Sequence, residues 1–195
     1  MSIEPVQLGH ASRLINHGPT VLVTTVHQGR RNVMAAAWSM PVEFTPPRVA
    51  VVIDKRTYTW DLLRDSGCFA LCLPGRALAD LTFTVGNTTG RPESPGAPDK
   101  FDRLGVKAVA GPVLGLPWIE GCVAWMECRR IAEPHTEQAY DTVFADVVAA
   151  AADPRVFAQG RWSFRDDNSA LHTLHHLGAG HFALPAAQVQ GRRPA

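Results

Sequence analysis

No stretch of this sequence comes near the ~18 consecutive apolar residues that a membrane-spanning helix needs. The first residues show no charged segment leading into an apolar one, so no export signal is expected and the cytoplasm is the expected compartment. Neither sign of charge is in excess. The 19 basic residues stand against 18 acidic ones, which leaves no basic field for nucleic acid to follow. Cysteine is scarce: Cys68, Cys72, Cys122 and Cys128 contain no C-x-x-C pair. Zinc and thioredoxin-like readings are therefore unsupported, and small buried hydrophobes are the expectation. There is no G-x-G-x-x-G or P-loop, which removes a Rossmann-type nucleotide site. No G-x-S-x-G elbow occurs, and no Ser or Cys has an identifiable paired base, so hydrolysis has no support.

What is present is a series of short β-type runs. With 195 residues, 46% of them hydrophobic, the chain is expected to fold as one domain over residues 1–195. Residues 20–27 are dense in β-branched side chains, and Gln28-Gly29-Arg30-Arg31 follows as a hairpin turn. The return strand, residues 32–40, contains three consecutive alanines. Pro41 and Pro46-Pro47 make the next stretch a stiff loop before an apolar strand at 49–53. Thr59 is expected to cap a short helix that stops at Gly67. Residues 68–73 return as a strand, and residues 77–83 form a second helix. A Gly- and Pro-rich surface loop fills 86–98, and strands follow at 107–113 and 122–131. Residues 143–152 fit both an i, i+4 stripe and a strand alternation; their flanking strands and the Asp153-Pro154 turn decide for strand. The polar tail after Ala186 is expected to be frayed. Six or more strands with short helices describe a mainly β antiparallel barrel or sandwich.

Four constellations can carry chemistry. In residues 32–40, the alanines beside Trp38 leave a bare strand face against which a flat aromatic ligand can lie; tight packing against another strand is the more ordinary explanation of the pattern alone. Residues 54–59, Asp-Lys-Arg-Thr-Tyr-Thr, join a buried strand to a helix start. Free N–H groups, the helix dipole, two hydroxyls and two cations there suit a phosphate, or simply a capped helix. In the loop Thr88-Thr89-Gly90-Arg91, closing at Asp99-Lys100-Phe101, glycine admits an anion that Arg91 or Lys100 can neutralise. The fourth is His172, His175, His176 and His181. Gly178 and Gly180 break any helix that would align a metal pair, and a ligand-facing histidine is the alternative.

In this order, several segments resemble the flavin reductase-like family of FMN-binding split barrels. They are Asn32-Val-Met-Ala-Ala-Ala-Trp38-Ser39-Met40-Pro41, Phe44-Thr-Pro-Pro-Arg-Val-Ala-Val-Val-Ile53, Lys55-Arg-Thr57-Tyr-Thr59 and Ser66-Gly-Cys-Phe69. Thr89-Gly-Arg91, Asp99-Lys100-Phe101, Glu127-Cys128-Arg129 and Leu174-His-His-Leu-Gly178 with Phe182 continue the series, which spans about residues 15–185. The resemblance implies a homodimeric six-stranded Greek-key barrel with FMN near the subunit interface. The strand carrying Asn32, Ala36, Ala37, Trp38, Ser39 and Met40 would lie along the isoalloxazine. Thr57 and Thr59 would hold the phosphate, aided by Lys55, Lys100 and Arg91. It further implies NAD(P)H as donor with a flavin or ferric acceptor, or electron supply to a separate monooxygenase. One departure stands out: many relatives carry an Asp-His-Thr-like triplet where this chain has Tyr140-Asp141-Thr142, and an anionic Asp141 near N1 would disfavour reduced flavin.

The leading expectation is thus an NAD(P)H-dependent, FMN-bound reductase. A flavin-binding carrier or sensor without turnover is the first alternative. A barrel binding heme through its C-terminal histidines is the second.

Overall fold

The computed structural model describes residues 3–14 and 18–192; residues 15–17 and 193–195, part of the expected domain span and of its tail, lie outside the described residues. Seven strands form one antiparallel path. They are β1 (Val21–His27), β2 (Arg30–Ala36), β3 (Ser39–Phe44), β4 (Pro47–Val52), β5 (Cys68–Pro74), β6 (Cys122–Ile131) and β7 (Thr142–Ala152). Their order is β2-β1-β5-β6-β7-β4-β3. The expected split barrel is therefore present, with β3 joined to its six strands. Its two end strands, β2 and β3, are consecutive in the chain, so the sheet is open along a seam that residues 37 and 38 cross. That seam is where the candidate site forms.

The inner strands bury both faces, so they read as continuous apolar runs rather than alternations. On β5, Phe69, Leu71 and Leu73 belong to the interior cluster, while Ala70 and Cys72 belong to a second cluster on the other face. A side chain such as Phe69, fully buried, contributes roughly 1.5–3 kcal/mol by its removal from water. The strand reading of β7 holds, and a bulge interrupts its alternation. The register shifts between Val147 and Ala149, so the inward set passes from Val143, Ala145 and Val147 to Ala150 and Ala152.

Five local expectations are corrected. Residues 41–47 are not a loop throughout: Pro41 sits on β3, an edge strand, where its missing N–H costs no ladder bond. A cis Thr45–Pro46 peptide lies between β3 and β4. The strand expected over 32–40 is two strands, because the chain turns at 37 and 38 from one sheet edge to the other. Thr57, not Thr59, caps helix α1 (Tyr58–Ser66), which ends at Gly67 in the left-handed region. Helix α2 (Ala79–Asn87) starts later than expected and runs into the segment read as loop. Of residues 107–113 only Ala108–Ala110 is strand, paired with Pro117–Ile119 in a separate small sheet. The remaining elements used below are α3 (Lys100–Leu104), α4 (Pro134–Tyr140), β8 (His175–Gly178) and β9 (His181–Ala183). No helix among the described residues is long and apolar enough to cross a membrane.

The 111–117 turn is fixed on the outer face by Glu127. Its fully buried carboxylate accepts N–H bonds from Val113, Leu114 and Leu116 at 2.8, 3.0 and 3.1 Å. A Glu127→Gln variant keeps one acceptor oxygen and loses the charge. It is expected to lower stability by about 1–2 kcal/mol, read from the urea midpoint.

Candidate functional site

Three segments converge beside β2: the β4–α1 junction, the end of α2 with the loop after it, and the start of α3. They enclose a cavity of about 370 Å³ lined by Asn32, Thr57, Thr59, Gly90, Arg91 and Lys100 among others. Thr57 accepts a bond from the Trp60 N–H at 3.2 Å and donates to the Asp54 carbonyl at 2.7 Å. This is a capping geometry, and it leaves the positive end of α1 facing the cavity. Thr59 is buried, and its hydroxyl accepts from Asn32 Nδ2 at 2.8 Å. Asn32 Oδ1 is buried and has no partner among the described residues.

The loop comes so close here that only glycine fits. A Cβ on Gly90 would lie 1.9 Å from Asn32 Oδ1. Arg91 is held at the rim by Asp61, 2.8 Å away, and by the Arg56 carbonyl at 3.1 Å. Arg56 also lines the cavity and pairs with Asp54, whose carboxyl the guanidinium holds down at about 2.

Two expected phosphate ligands are otherwise engaged. Lys100 lines the cavity, yet its ammonium is 1% exposed and donates to the carbonyls of Val33, Val85 and Thr88 at 2.8, 2.6 and 2.6 Å. It ties β2, α2 and the loop together from beneath. Lys55 lies outside the cavity. It reaches the end of α4, with the Gln138 carbonyl at 2.6 Å and the Asp141 carboxylate at 2.7 Å. Unpaired carbonyls at a helix C-terminus attract a cation, which explains the placement. Asp141, where relatives were expected to carry histidine, thus has its charge offset by Lys55.

A second cavity, about 340 Å³, adjoins the first and shares Ala35, Gly86 and Asn87 with it as wall. Ala35 is small because α2 packs on it: a Cβ on Gly86 would sit 3.3 Å from the Ala35 methyl. Close packing therefore accounts for Ala35, with a helix rather than a strand as the neighbour. Ala36 is buried in the barrel core, and Ala37 lines the chamber. The far wall is the β8–β9 hairpin, where His176 and Phe182 are cross-strand partners with ring centroids 5.7 Å apart. Beyond the seam, Ala37, Trp38, Ser39 and Met40 line a third hollow with Val51 and Thr142. Trp38 is 75% exposed and Met40 57%.

The sequence allows a ligand-facing role for one C-terminal histidine without saying which. His172 is buried, with Nε2 2.9 Å from the Arg165 carbonyl, so it is committed to the fold. His176, on β8, faces the chamber. Thr82, Phe83 and Asn87 of α2 also line it and went unnoticed, since the helix was expected to end at 83. The signal available was the Gly178-Ala179-Gly180 turn between two short alternating runs. All three residues have positive φ.

Residues 13–168 match the flavin reductase like domain. The chain belongs to this family. Its relatives within and around the family include the uncharacterized protein YddH of Escherichia coli (strain K12), 53% identical over 188 residues, which are 95% of this chain and 96% of that one. The FMN-binding domain of a flavin reductases-like enzyme from Shewanella baltica OS155 is 37% identical, with a TM-score of 0.92 over 98% of both chains. Flavoredoxin of Desulfovibrio vulgaris (Miyazaki F) is 22% identical, with a TM-score of 0.73 over 89% of this chain and 90% of that one, and shares the fold.

Proposed function

We propose that this flavin reductase-like chain binds FMN and works as an NAD(P)H-dependent oxidoreductase that passes electrons to an external acceptor. The observation that carries the reading is the phosphate-type cradle at the Asn32 end of β2, from which the strand leads to Ala36, Ala37 and the exposed Trp38 at the seam. One elongated ligand, anionic at one end and flat at the other, fits along that sheet edge. From residue 32 to residue 36 the strand spans roughly 13 Å at about 3.3 Å per residue.

The residues fit that ligand at several points. The α1 N-terminus, Thr57, Thr59, Arg56 and Arg91 would hold the phosphate end. Gly90 leaves room where any side chain would close the cradle on Asn32, and the unpaired Asn32 Oδ1 is available to a ligand hydroxyl or N–H. Ala36, Ala37, Trp38, Ser39 and Met40 would flank the ring end. FMN supplies the electron-transfer chemistry when bound, and the protein's part is binding and orientation. Asp141, neutralised by Lys55, adds no net charge to that end of the site.

The test is the visible spectrum of freshly purified protein, followed by NADH or NADPH without oxygen. Flavin bands that bleach support the reductase. Flavin bands that persist with both donors overturn it in favour of a carrier or sensor, and a Soret band in place of flavin bands overturns both.

We further propose that the protein is a homodimer joined through β3. This edge strand exposes Met40, Val42 and Phe44, and the exposed Trp38 stands just before it. Such an apolar edge left bare invites pairing. A Met40→Lys/Phe44→Lys double variant is expected to elute from a sizing column at half the wild-type mass; an unchanged mass would remove β3 from the interface. The four cysteines are free, which suits the reducing cytoplasm as its compartment.

A further inference from the structure

The chamber between α2 and the β8–β9 hairpin differs in chemistry from the cradle it adjoins. Arg56, Arg91 and Lys100 line the cradle, whereas no Asp, Glu, Lys or Arg lines the chamber among the described residues. Its polar groups are neutral. Thr20 and Thr82 border it, and their hydroxyls are buried without a hydrogen-bond partner among the described residues. An unpaired buried hydroxyl is a cost that an arriving acceptor oxygen removes. An anion entering here would shed water and meet no counter-charge. A flat uncharged ring sheds little and gains contact with the rings of His176 and Phe182. The hairpin that carries those rings sits firmly on α2: a Cβ on Gly180 would come within 2.9 Å of the Phe83 ring.

We propose that this chamber receives the second reactant, and that this reactant is an uncharged planar ring bearing carbonyl oxygens, of the quinone type, rather than an anionic ferric chelate. His176 is the specificity-determining residue, offering a ring face and an N–H that donates to a carbonyl oxygen. The inference rests on the FMN reading for the chemistry that follows binding, but its test is of binding itself.

Menadione and ferric citrate are titrated separately into the oxidised FMN-loaded protein by calorimetry, with no reductant present, and FMN content is read from absorbance. Menadione is expected to bind and ferric citrate not to. His176→Ala should weaken menadione about tenfold and Thr82→Val several-fold, with FMN content at the wild-type level in both. Retained FMN also shows that the variants fold. Ferric citrate binding as tightly as menadione, no menadione binding, or unchanged menadione affinity in both variants would overturn the proposal. So would FMN loss in both variants, which would give the chamber to the cofactor. A wild-type protein that takes no FMN yet binds menadione in a His176-dependent way would keep this inference and sink the FMN reading.

Discussion

A Gly90→Ala variant is expected to stay folded and to bind FMN roughly five to thirty times more weakly. The added methyl would lie 1.9 Å from Asn32 Oδ1, 2.5 Å from Cγ and 3.0 Å from Nδ2, so something must move. Asn32 cannot swing aside without loss, because it is 2% exposed and its amide donates to Thr59 at 2.8 Å. Breaking that bond costs about 1 kcal/mol, roughly a factor of five in affinity if the cradle loses its shape with it. If the loop retreats instead, it carries Arg91 away from the cavity and removes a charge-assisted contact worth about as much again. Titration of FMN fluorescence measures the loss, and a urea midpoint close to wild type shows that the fold survives. The cause is tested by repeating the change in an Asn32→Ala background. With the clashing atoms gone, Gly90→Ala should then cost little further affinity. An equal loss in both backgrounds would mean that Gly90 matters for its loop conformation and not for Asn32.

The barrel was legible because its cause is local. β-branched runs broken by turn residues specify strands whatever they later pair with, and buried central strands announce themselves by losing their alternation. The hairpin at Gln28-Gly29 needed only its two positive φ values, which the dipeptide accommodates. What was not legible depended on contacts distant in sequence. Pro41 reads as a loop residue until an edge strand is there to receive it, and nothing near it in the chain says that β4 will. The cradle was half visible. The hydroxyls of Thr57 and Thr59 stand next to a helix start, and a capped N-terminus is a local signal.

The cations were harder, since charge in a sequence does not say where the charge is spent. Lys55 goes to the end of α4, more than eighty positions away, and Lys100 reaches back to Val33 across 67. The local pattern puts both beside an anion, and the geometry leaves only Lys100 in the cavity wall, with its ammonium spent on carbonyls. Ala35 shows the same limit from the other side: a bare strand face looks alike whether a helix or a ligand is to cover it. It is Gly86, brought over β2 by α2, that decides.

A Lys100→Met variant is expected to lose about 3 kcal/mol of stability, the largest effect of any single change here. The side chain is 1% exposed and all three ammonium protons go to backbone carbonyls, so methionine fills the space but leaves three acceptors without donors. Each such loss costs about 1 kcal/mol. The urea midpoint reads the total. The pH dependence identifies the group. Burial, and to a lesser extent the charge of Arg103, pulls Lys100 down from 10.5 to about 8. Between those values the unfolded chain binds more protons than the folded one, so this lysine makes stability rise with pH from about 8 to 10.5 and adds no slope outside that window. The wild-type curve minus the Lys100→Met curve should therefore rise across it; a flat difference would mean that the lysine keeps its ordinary affinity for protons in the fold. Salt separates the structural role from direct phosphate binding. A lysine that touched the phosphate would, when removed, flatten the salt dependence of FMN affinity and leave stability nearly unchanged. A staple beneath the cradle predicts the reverse, a large fall in stability and a salt dependence that stays the same, because the exposed cations Arg56 and Arg91 remain at the rim.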